Sequence, residues 1–325
     1  MQRKSGPGIY NYETILSRQS ARGGTMYVIT GATGNTGSVV AGKLLAAGQK
    51  IRVIGRDAKR LERFTKKGAE ASVADATDAE ALTKAFSGAE AVYAMVPPNI
   101  SSPDVSAYQE RVTDALASAI EKNGVRYAVV LSSFGADKPD KTGPVAGLRS
   151  LEEKLGRISG LHALYLRAGY FMENILAQVG VIKSLSIMAG PVRADLALPM
   201  IATRDIGAAA AHALLKLNFE GKSARELQGA RDVTYAEVAK TAGVAIERPD
   251  LSYKQAPAGM LKPAMLQMGM SSSMVDLLLE MSDALNSGHM RALEPRSVEN
   301  TTPTTIETFI AEVFVPAYQG KAASA

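Results

Sequence analysis

The sequence predicts an α/β protein in which a doubly wound parallel sheet is followed by a smaller, α-rich C-terminal part. From residue 26 onward, short apolar runs alternate with stretches of helical periodicity, which is the pattern of β-α-β units in a parallel sheet. After about residue 190 the pattern shifts towards helices. The chain has 325 residues, of which 46% are hydrophobic and 21% are charged, so it can bury a sizeable core.

The apolar runs predict strands and the periodic segments predict helices. The predicted strands are residues 26–30, 51–55, 71–74, 91–95, 127–131 and 163–166. The predicted helices are residues 35–47, 60–67, 78–86, 106–123, 206–217, 235–242 and 303–314. Local signals mark the starts of the last three helices. They are Asp205 as an N-cap, Thr234 with Glu237 as a capping box, and Thr302 as a cap before Pro303.

Composition excludes several classes of site. The chain contains no cysteine, which removes disulfides, thiolate nucleophiles and cysteine metal sites and favours the reducing cytoplasm. Its histidines, at positions 162, 212 and 289, show no ligand spacing, so we expect no metal site. The first 25 residues lack the apolar segment of a secretory signal, and no stretch approaches the ~18 apolar residues of a membrane helix. We therefore expect no membrane association.

The net charge of +5 is unevenly distributed. Residues 1–25 contain four basic residues and one acidic residue, which account for three of the five net charges. The rest of the chain is nearly neutral, so we expect no nucleic-acid partner. We interpret residues 1–25 as a disordered leader or as a start codon assigned too early; the alternative is a basic arm that leads the protein to phosphate.

A glycine-rich turn directly follows the first predicted strand. Residues 31–37 read G-A-T-G-N-T-G and open a predicted helix. Glycines at such a turn let the backbone approach a pyrophosphate, while free N–H groups and the helix dipole favour its negative charge. The strand before, the helix after and the absence of a Walker lysine favour a dinucleotide site over a structural turn. The predicted contacts in this turn are Gly31, Thr33, Gly34, Asn35, Thr36 and Gly37.

This spacing, with several later motifs, resembles the NmrA-like group of atypical short-chain dehydrogenase/reductases. The matching segments are residues 30–37, 55–57, 74–78, 131–133, 166–174, 204–206 and 302–305. The resemblance implies a Rossmann-type domain that binds a nicotinamide dinucleotide, with a smaller part covering the nicotinamide end. We expect boundaries at residues 26–190 for the first domain, which later strands can complete, at 191–318 for the substrate-binding part, and at 319–325 for a tail.

Charge at the end of the second strand bears on which dinucleotide binds. An acidic residue there would chelate the ribose hydroxyls of NAD, but this sequence has Gly55 followed by Arg56. Lys59 and Arg60 follow closely. The cluster favours NADP(H) over NAD(H), although Asp57 weakens the argument and such a cluster is often only solvated surface.

The resemblance places Asp75, with Ala76 beside it, at the adenine; the alternative for Asp75 is to cap the helix that begins at Asp78. Segments that leave the fourth and fifth strands lie at the edge where open α/β sheets bind ligands. We therefore add Val96, Pro97 and Ser132 to the predicted cofactor contacts.

We predict a pocket for a small-molecule substrate beside the cofactor. Its predicted lining is Ser133, Phe134, Tyr170 and Asn174. Tyr170 would stack on the substrate and Asn174 would donate to an oxygen, but both could instead hold the strand-to-helix turn. Seven of the thirteen methionines lie between residues 260 and 290, where they can form an adaptable cavity wall, plain core or a dimer face. Monomer and homodimer both stay open.

Catalytic residues are not identified. Ordinary short-chain dehydrogenases use a tyrosine and a lysine four residues apart to protonate a carbonyl. The resemblance puts Pro144 and Leu148 at those two places, and neither can move a proton. Two hypotheses follow. The first is an NADPH-dependent reductase of a quinone-like or other conjugated acceptor that needs no enzyme proton donor, and the second is a non-catalytic NADP(H) sensor.

Overall fold

The computed structural model describes residues 24–321, and all features below refer to that range. Its strands are β1 (Met26–Ile29), β2 (Lys50–Gly55), β3 (Glu70–Val73), β4 (Ala89–Ala94), β5 (Tyr127–Ser133), β6 (His162–Ala168), β7 (Met188–Gly190), β8 (Lys222–Leu227) and β9 (Tyr253–Gln255). Seven of these described strands form one sheet in the order β3-β2-β1-β4-β5-β6-β8, and every neighbouring pair is parallel. The predicted α/β fold with a doubly wound parallel sheet is confirmed.

Helices cover both faces of this sheet. The helices are α1 (Asn35–Ala46), α2 (Ala58–Thr65), α3 (Ala79–Ala85), α4 (Val105–Lys122), α5 (Val145–Gly156), α6 (Gln178–Leu185), α7 (Thr203–Lys216), α8 (Tyr235–Ala245), α9 (Ala258–Gln267), α10 (Ser272–Asn286), α11 (Ile306–Phe309) and α12 (Val315–Tyr318). A 3₁₀ helix precedes α6 at Met172–Ala177, and a π-helical turn at Ile310–Phe314 joins α11 to α12. None of the described helices is long and apolar enough to cross a membrane.

Alternation along the strands divides the apolar residues between two layers. In β1, Tyr27 and Ile29 pack in one cluster with α1, α2 and α7, whereas Val28 packs in another with α3, α4 and α5. Successive strand residues point to opposite faces, so a fully buried strand feeds both cores. The order of the strands reverses between β1 and β4, and the crevice at their carboxyl ends is the usual ligand position in such sheets.

The six predicted strands are all present within two residues of their expected ends. The seventh strand, β8, was not predicted, and it adds to the edge of the sheet beside β6. Its sequence is largely polar and its first four residues are exposed, so the apolar periodicity that identifies central strands is missing.

Two of the three predicted helix starts are wrong. Helix α7 begins at Thr203, two residues before Asp205, and the carboxylate of Glu173 accepts the Thr203 N–H. Asp205 is buried and accepts hydrogen bonds from the N–H and hydroxyl of Thr304, each at 2.9 Å. The last helix begins at Ile306 with Thr305 as its N-cap, not at Thr302. The capping box of Thr234 and Glu237 is confirmed.

The part of the chain that follows β6 contributes most of a third apolar cluster. Strands β7 and β9 pair in parallel, and the cluster unites side chains from the 3₁₀ helix, α8, α10 and α11. It also includes Phe134 and Val145, which flank the segment between β5 and α5. This cluster, together with β7 and β9, forms a smaller layer beside the sheet. The smaller layer packs onto the carboxyl edge of the sheet at the end of β5.

Candidate functional site

The glycine turn between β1 and α1 leaves little room for a side chain at Gly31 or Gly37. A Cβ on Gly37 would lie 2.3 Å from the carbonyl oxygen of Gly31, and one on Gly31 would lie 2.6 Å from Sδ of Met95. Gly31 also has φ +59°, a conformation that costs glycine little. The N–H of Gly34 donates to the Gly31 carbonyl at 2.9 Å. Helix α1 is thereby pressed directly against the end of β1.

The first turn of α1 presents backbone donors that no side chain caps. The N-cap is Gly34, and no hydrogen bond from a described side chain satisfies the N–H groups behind it. The first N–H groups of a helix have no partner within the helix. Asn35 is exposed at this position, and the first turn contains no acidic residue. An uncapped N-terminus of this kind can accept an anion such as a pyrophosphate.

Hydrogen bonds between β1, β4 and α1 hold this turn in place. The N–H and hydroxyl of Thr30 both donate to the carbonyl of Tyr93, and the Thr30 hydroxyl accepts from the N–H of Met95. The hydroxyl of Tyr93 donates to Oγ1 of Thr36 at 2.8 Å. Burial raises the pKa of Tyr93, so its hydroxyl stays protonated and remains a donor. The hydroxyl of Thr36 is thus tied to the core, while its N–H stays in the uncapped turn.

The predicted adenosine end lies after β2 and β3. Arg56 is exposed, and Arg60 donates from Nη2 to the carbonyl of Thr33 at 3.2 Å. Asp57 accepts from the N–H of Lys59 at 2.8 Å and is the N-cap of α2. The acidic side chain closest to the end of β2 is therefore engaged in capping a helix.

Asp75 follows β3 and makes a local turn. Its carboxylate accepts from the N–H and the hydroxyl of Thr77 at 2.9 and 2.7 Å. These bonds, with a smaller contribution from Arg56, hold the pKa of Asp75 below its usual value. The alternative role of Asp75 as a helix cap is wrong, because Asp78 itself accepts from the N–H groups of Glu80 and Ala81. Ala76 beside Asp75 is half-buried.

Three further predicted cofactor contacts follow β4 or end β5. Val96 is buried, Pro97 is half-buried, and the side chain of Ser132 is buried at the end of β5. The hydroxyl of Ser132 donates to Oε1 of Glu152 on α5 at 2.5 Å. This hydrogen bond joins β5 to α5 at the carboxyl edge of the sheet.

Sequence reasoning missed the centre of that network, which is an ion pair between Glu152 and Arg167. Arg167 donates from Nε and Nη2 to the two carboxylate oxygens at 3.1 and 2.6 Å, and Glu152 is 8% exposed. The hydroxyl of Tyr165 donates to the backbone carbonyl of Glu152 at 3.0 Å. An arginine inside the apolar strand β6 was the available signal, because a charge in a buried strand needs a partner.

The two positions at which the resemblance puts the tyrosine and the lysine of ordinary short-chain dehydrogenases lie at the start of this same helix. Pro144 is the N-cap residue of α5, and Leu148 packs against the apolar cluster beneath it. Leu148 precedes Glu152 by one turn. The helix is held to β5 and β6 by Glu152, and its first turn offers no side chain that donates a proton at these two positions.

The structure brings most of the predicted pocket residues into the smaller layer. Phe134 is buried, and the hydroxyl of Ser133 donates to its carbonyl at 3.0 Å. The hydroxyls of Tyr170 and Tyr235 lie 3.0 Å apart, and burial raises the pKa of Tyr170. The exposed Asn174 also interacts with the Tyr170 hydroxyl.

Two of these residues have aromatic partners that the sequence did not indicate. Tyr235 stacks on Tyr253 with ring centroids 4.6 Å apart, and Tyr170 meets Tyr235 edge to face. The Tyr253 hydroxyl donates to the Val192 carbonyl at 2.8 Å. Tyr170, Tyr235 and Tyr253 therefore form a row of contacting rings. The row begins at Tyr170, two residues after the end of β6.

We expect Glu152→Gln to lower the free energy of unfolding by about 2 kcal/mol, because it leaves the Arg167 guanidinium without its counter-charge. Chemical denaturation of the purified protein measures the change. Glu153→Gln is the matched control, since Glu153 is exposed and makes only an i,i+4 pair with Arg149, which contributes about 0.5 kcal/mol or less. Equal effects of the two substitutions would contradict the assignment of Glu152 as a buried structural ion.

Comparison with known proteins identifies relatives of this architecture. Residues 25–310 match the model of the NmrA-like family. The chain is 33% identical over 229 residues, 69% of its length and 75% of the relative, to (4-alkanoyl-5-oxo-2,5-dihydrofuran-3-yl)methyl phosphate reductase of Streptomyces griseus subsp. griseus. The NADPH-dependent quinone oxidoreductase of Escherichia coli, solved with NADPH, superposes with a TM-score of 0.68 at 21% identity, covering 89% of this chain and 100% of that one. Triphenylmethane reductase of Citrobacter sp., solved with NADP(H), gives 0.72 at 19% identity, covering 88% and 98%. With its family model matched over nearly the whole described chain, this protein belongs to the NmrA-like family.

Proposed function

We propose that the protein is an NADPH-dependent reductase of a quinone-like or other conjugated small molecule. The observation that carries the proposal is the uncapped first turn of α1, which three glycines press against the end of β1. A Cβ on Gly37 would meet the Gly31 carbonyl, so glycine is needed for this close approach. The uncapped N–H groups of the first turn supply donors for a diphosphate bridge. When bound there, the reduced nicotinamide supplies a hydride.

The remaining predicted contacts extend along the carboxyl edge of the sheet on both sides of the turn. Asp75 and Ala76 would hold the adenine end. Val96, Pro97 and Ser132 would lie along the nicotinamide end, where the second layer meets the sheet. The cytoplasm is our proposed location for this activity, because a chain without cysteine suits a reducing compartment.

The environment of Arg56 supports NADPH over NADH. Its guanidinium is exposed after β2, where a phosphate on the adenosine ribose would be reached. The carboxylate of Asp57, which would oppose that phosphate, is committed to the N-terminus of α2. Arg60 is anchored on the Thr33 carbonyl, which adds a second fixed positive charge beside the turn.

The side chains of α5 support a conjugated acceptor. Pro144 and Leu148 cannot protonate a carbonyl as it receives a hydride. In a conjugated acceptor the negative charge spreads away from the carbon that is attacked, so water can supply the proton. The Streptomyces relative supports this chemistry, since its name describes a dihydrofuran whose ring double bond adjoins both an oxo and an alkanoyl group. The quinone oxidoreductase shares the fold.

The pocket residues would hold a flat apolar acceptor against the nicotinamide. Tyr170 is fixed through the Tyr235 hydroxyl, so it offers an ordered aromatic surface. Asn174 is exposed and can donate to a substrate oxygen, while Ser133 and Phe134 approach from the end of β5. Ordered groups of this kind accelerate a reaction by positioning.

A non-catalytic NADP(H) sensor is the second candidate function. The observation that favours it is the same pair of residues, since a protein that only binds the dinucleotide has no need of a proton donor on α5. Binding of NADP(H) would then favour one conformation of the protein and change its interaction with a partner.

Turnover distinguishes the two candidates. We expect the purified protein to consume NADPH in the presence of some members of a panel of quinones and conjugated enones, measured as loss of absorbance at the nicotinamide band. Nucleotide binding is followed in parallel by fluorescence. Tight binding of NADPH without turnover across the panel would contradict the reductase and support the sensor.

Gly37→Ala should weaken NADPH binding at least about 10-fold, because the new methyl group displaces α1 from the end of β1. Gly42→Ala, on the same helix, is the matched control, since a Cβ there meets nothing within 4 Å. Titration with NADPH measures both. Unchanged affinity of the Gly37 variant would contradict the site.

A second variant at the same turn separates binding from folding. Asn35→Asp adds a negative charge to the first turn of α1, which stabilises a helix N-terminus by about 0.3–1 kcal/mol but repels a pyrophosphate. We therefore expect equal or greater stability together with weaker NADPH binding. Retained affinity would contradict the proposed position of the diphosphate.

Arg56→Ala should weaken NADPH binding about 10-fold or more and leave NADH binding nearly unchanged, because only NADPH has the additional phosphate. Parallel titrations with the two nucleotides give the ratio. Lys66→Ala serves as the control, since Lys66 is exposed at the other end of α2. Equal weakening of both nucleotides by Arg56→Ala would remove the argument for NADP(H).

A further inference from the structure

Tyr108, in the first turn of α4, carries a hydroxyl that forms no hydrogen bond with any residue of the described range 24–321. Its ring is largely buried, and 8% of the residue is exposed. Within the same range, a side-chain polar atom that is both shielded from solvent and without a hydrogen bond occurs at Thr142 alone. The exposed part of Tyr108 therefore includes its hydroxyl. A tyrosine with a buried ring usually finds a partner for this group, and here a ligand can reach it.

The ring of Tyr108 is packed at the end of β3, beside the predicted adenine contacts. Tyr108 belongs to the same apolar cluster as Ala74, and Ala76 packs against that cluster. These two alanines flank Asp75 in the sequence. Helix α3, which follows them, packs along α4. The first turn of α4 thus borders the segment that the sequence assigned to the adenine end of the cofactor.

Charged groups of the adenosine end act on the Tyr108 hydroxyl. Burial raises the pKa of Tyr108, and the carboxylate of Asp75 adds to this increase. The guanidinium groups of Arg56 and Arg111 act in the opposite direction. Because such interactions weaken with distance, the hydroxyl lies near both Asp75 and Arg56. The raised pKa also keeps the hydroxyl protonated at neutral pH, so it can donate a hydrogen bond.

Asp75 has a carboxylate oxygen left for a ligand. Its two hydrogen bonds, from the N–H and the hydroxyl of Thr77, both end on Oδ1, and Asp75 is exposed. Adenine presents an amino group, which donates, beside a ring nitrogen, which accepts. A carboxylate oxygen that accepts and a neighbouring hydroxyl that donates are complementary to this pair of groups.

We propose that the Tyr108 hydroxyl donates a hydrogen bond to the ring nitrogen beside the amino group of the cofactor's adenine, while Oδ2 of Asp75 accepts from that amino group. The inference rests on the nucleotide site of the proposed function and adds to it a residue of α4 that the sequence analysis missed. The ring of Tyr108 is fixed by the apolar cluster, so the hydroxyl is already in position before the nucleotide binds.

Tyr108→Phe tests this contact, because it removes the hydroxyl and keeps the ring. We expect the Kd for NADPH to rise about 3- to 10-fold, which is the effect of one lost neutral hydrogen bond. The Kd for NADH should rise by the same factor, because both nucleotides contain adenine. Fluorescence titrations measure the two constants. A rise for NADPH alone would place the hydroxyl at the additional phosphate and overturn the inference, and so would unchanged affinity for both.

Adenosine 5′-diphosphate (ADP), which carries no nicotinamide, shows at which end of the dinucleotide the hydroxyl binds. Calorimetry should give a Kd for ADP that rises by the same factor in Tyr108→Phe. The midpoint of thermal unfolding of the nucleotide-free protein should stay unchanged, because the hydroxyl has no partner among the described residues. An unaltered affinity for ADP, or a fall in the unfolding midpoint, would overturn the inference.

Tyr127→Phe is the matched control. Tyr127 is the first residue of β5, so it lies at the amino edge of the sheet, opposite the proposed site. It is half-buried, and its ring stacks on that of His162. Loss of its hydroxyl should leave the Kd values for NADPH, NADH and ADP unchanged. Equal weakening by the two substitutions would show an effect that does not depend on position, and would overturn the role of Tyr108.

The wild-type protein separates failure of this inference from failure of the proposed function. Turnover of an acceptor by wild type, with unaltered nucleotide affinities in Tyr108→Phe, rejects the inference alone. Nucleotide binding by wild type without turnover rejects the reductase alone, and the titrations still decide the role of Tyr108. A wild-type protein that binds none of NADPH, NADH and ADP rejects both.

Discussion

The contact between Gly37 and Gly31 is the constraint on which the rest of the structure depends. Helix α1 approaches the end of β1 so closely that a Cβ on Gly37 would meet the carbonyl oxygen of Gly31. The same helix meets α7 at Gly207, where a Cβ would lie 2.7 Å from the carbonyl oxygen of Thr36. Two close approaches therefore fix α1 from both sides. Its uncapped N-terminus is consequently held at the crevice between β1 and β4.

Three buried or largely buried carboxylates attach the later chain to this framework. Glu173 accepts from the N–H of Thr203, Asp205 from that of Thr304, and Glu226 from those of Leu293 and Glu294. Burial raises the pKa of Glu173 and of Glu226. Asp205 binds the backbone of a residue 99 positions away along the chain, and Glu226 binds backbone 67 and 68 positions away. Glu173 binds backbone 30 positions away. The segment after β6, helix α7 and the segment that leads to the C-terminal helix are thereby joined.

Helix α5 combines a firm position with an absence of acid chemistry at its start. Glu152 binds Arg167 and Ser132, so the helix is anchored to β5 and β6 at their carboxyl ends. The side chains of Pro144 and Leu148 are apolar and take no part in these polar contacts. A site that includes the start of α5 would have to act by positioning, which suits the conjugated acceptors proposed above.

The sequence by itself determined the central strands, the glycine turn and the start of α1, and the Thr234 capping box. All of these depend on residues within a few positions of one another, so periodicity and spacing are enough to identify them. Strand β8 was not predicted because an exposed edge strand has little apolar alternation. Asp205 was misread as a cap because its true partner, Thr304, lies 99 residues away.

Only the tertiary structure decided which polar groups are buried together. The pairing of Glu152 with Arg167, the contact of Tyr170 with Tyr235, and the unpartnered hydroxyl of Thr142 all depend on atoms from separate elements. The burial and hydrogen bonding of a side chain are set by whatever packs around it. Local sequence names the group, but the fold determines whether that group finds a partner.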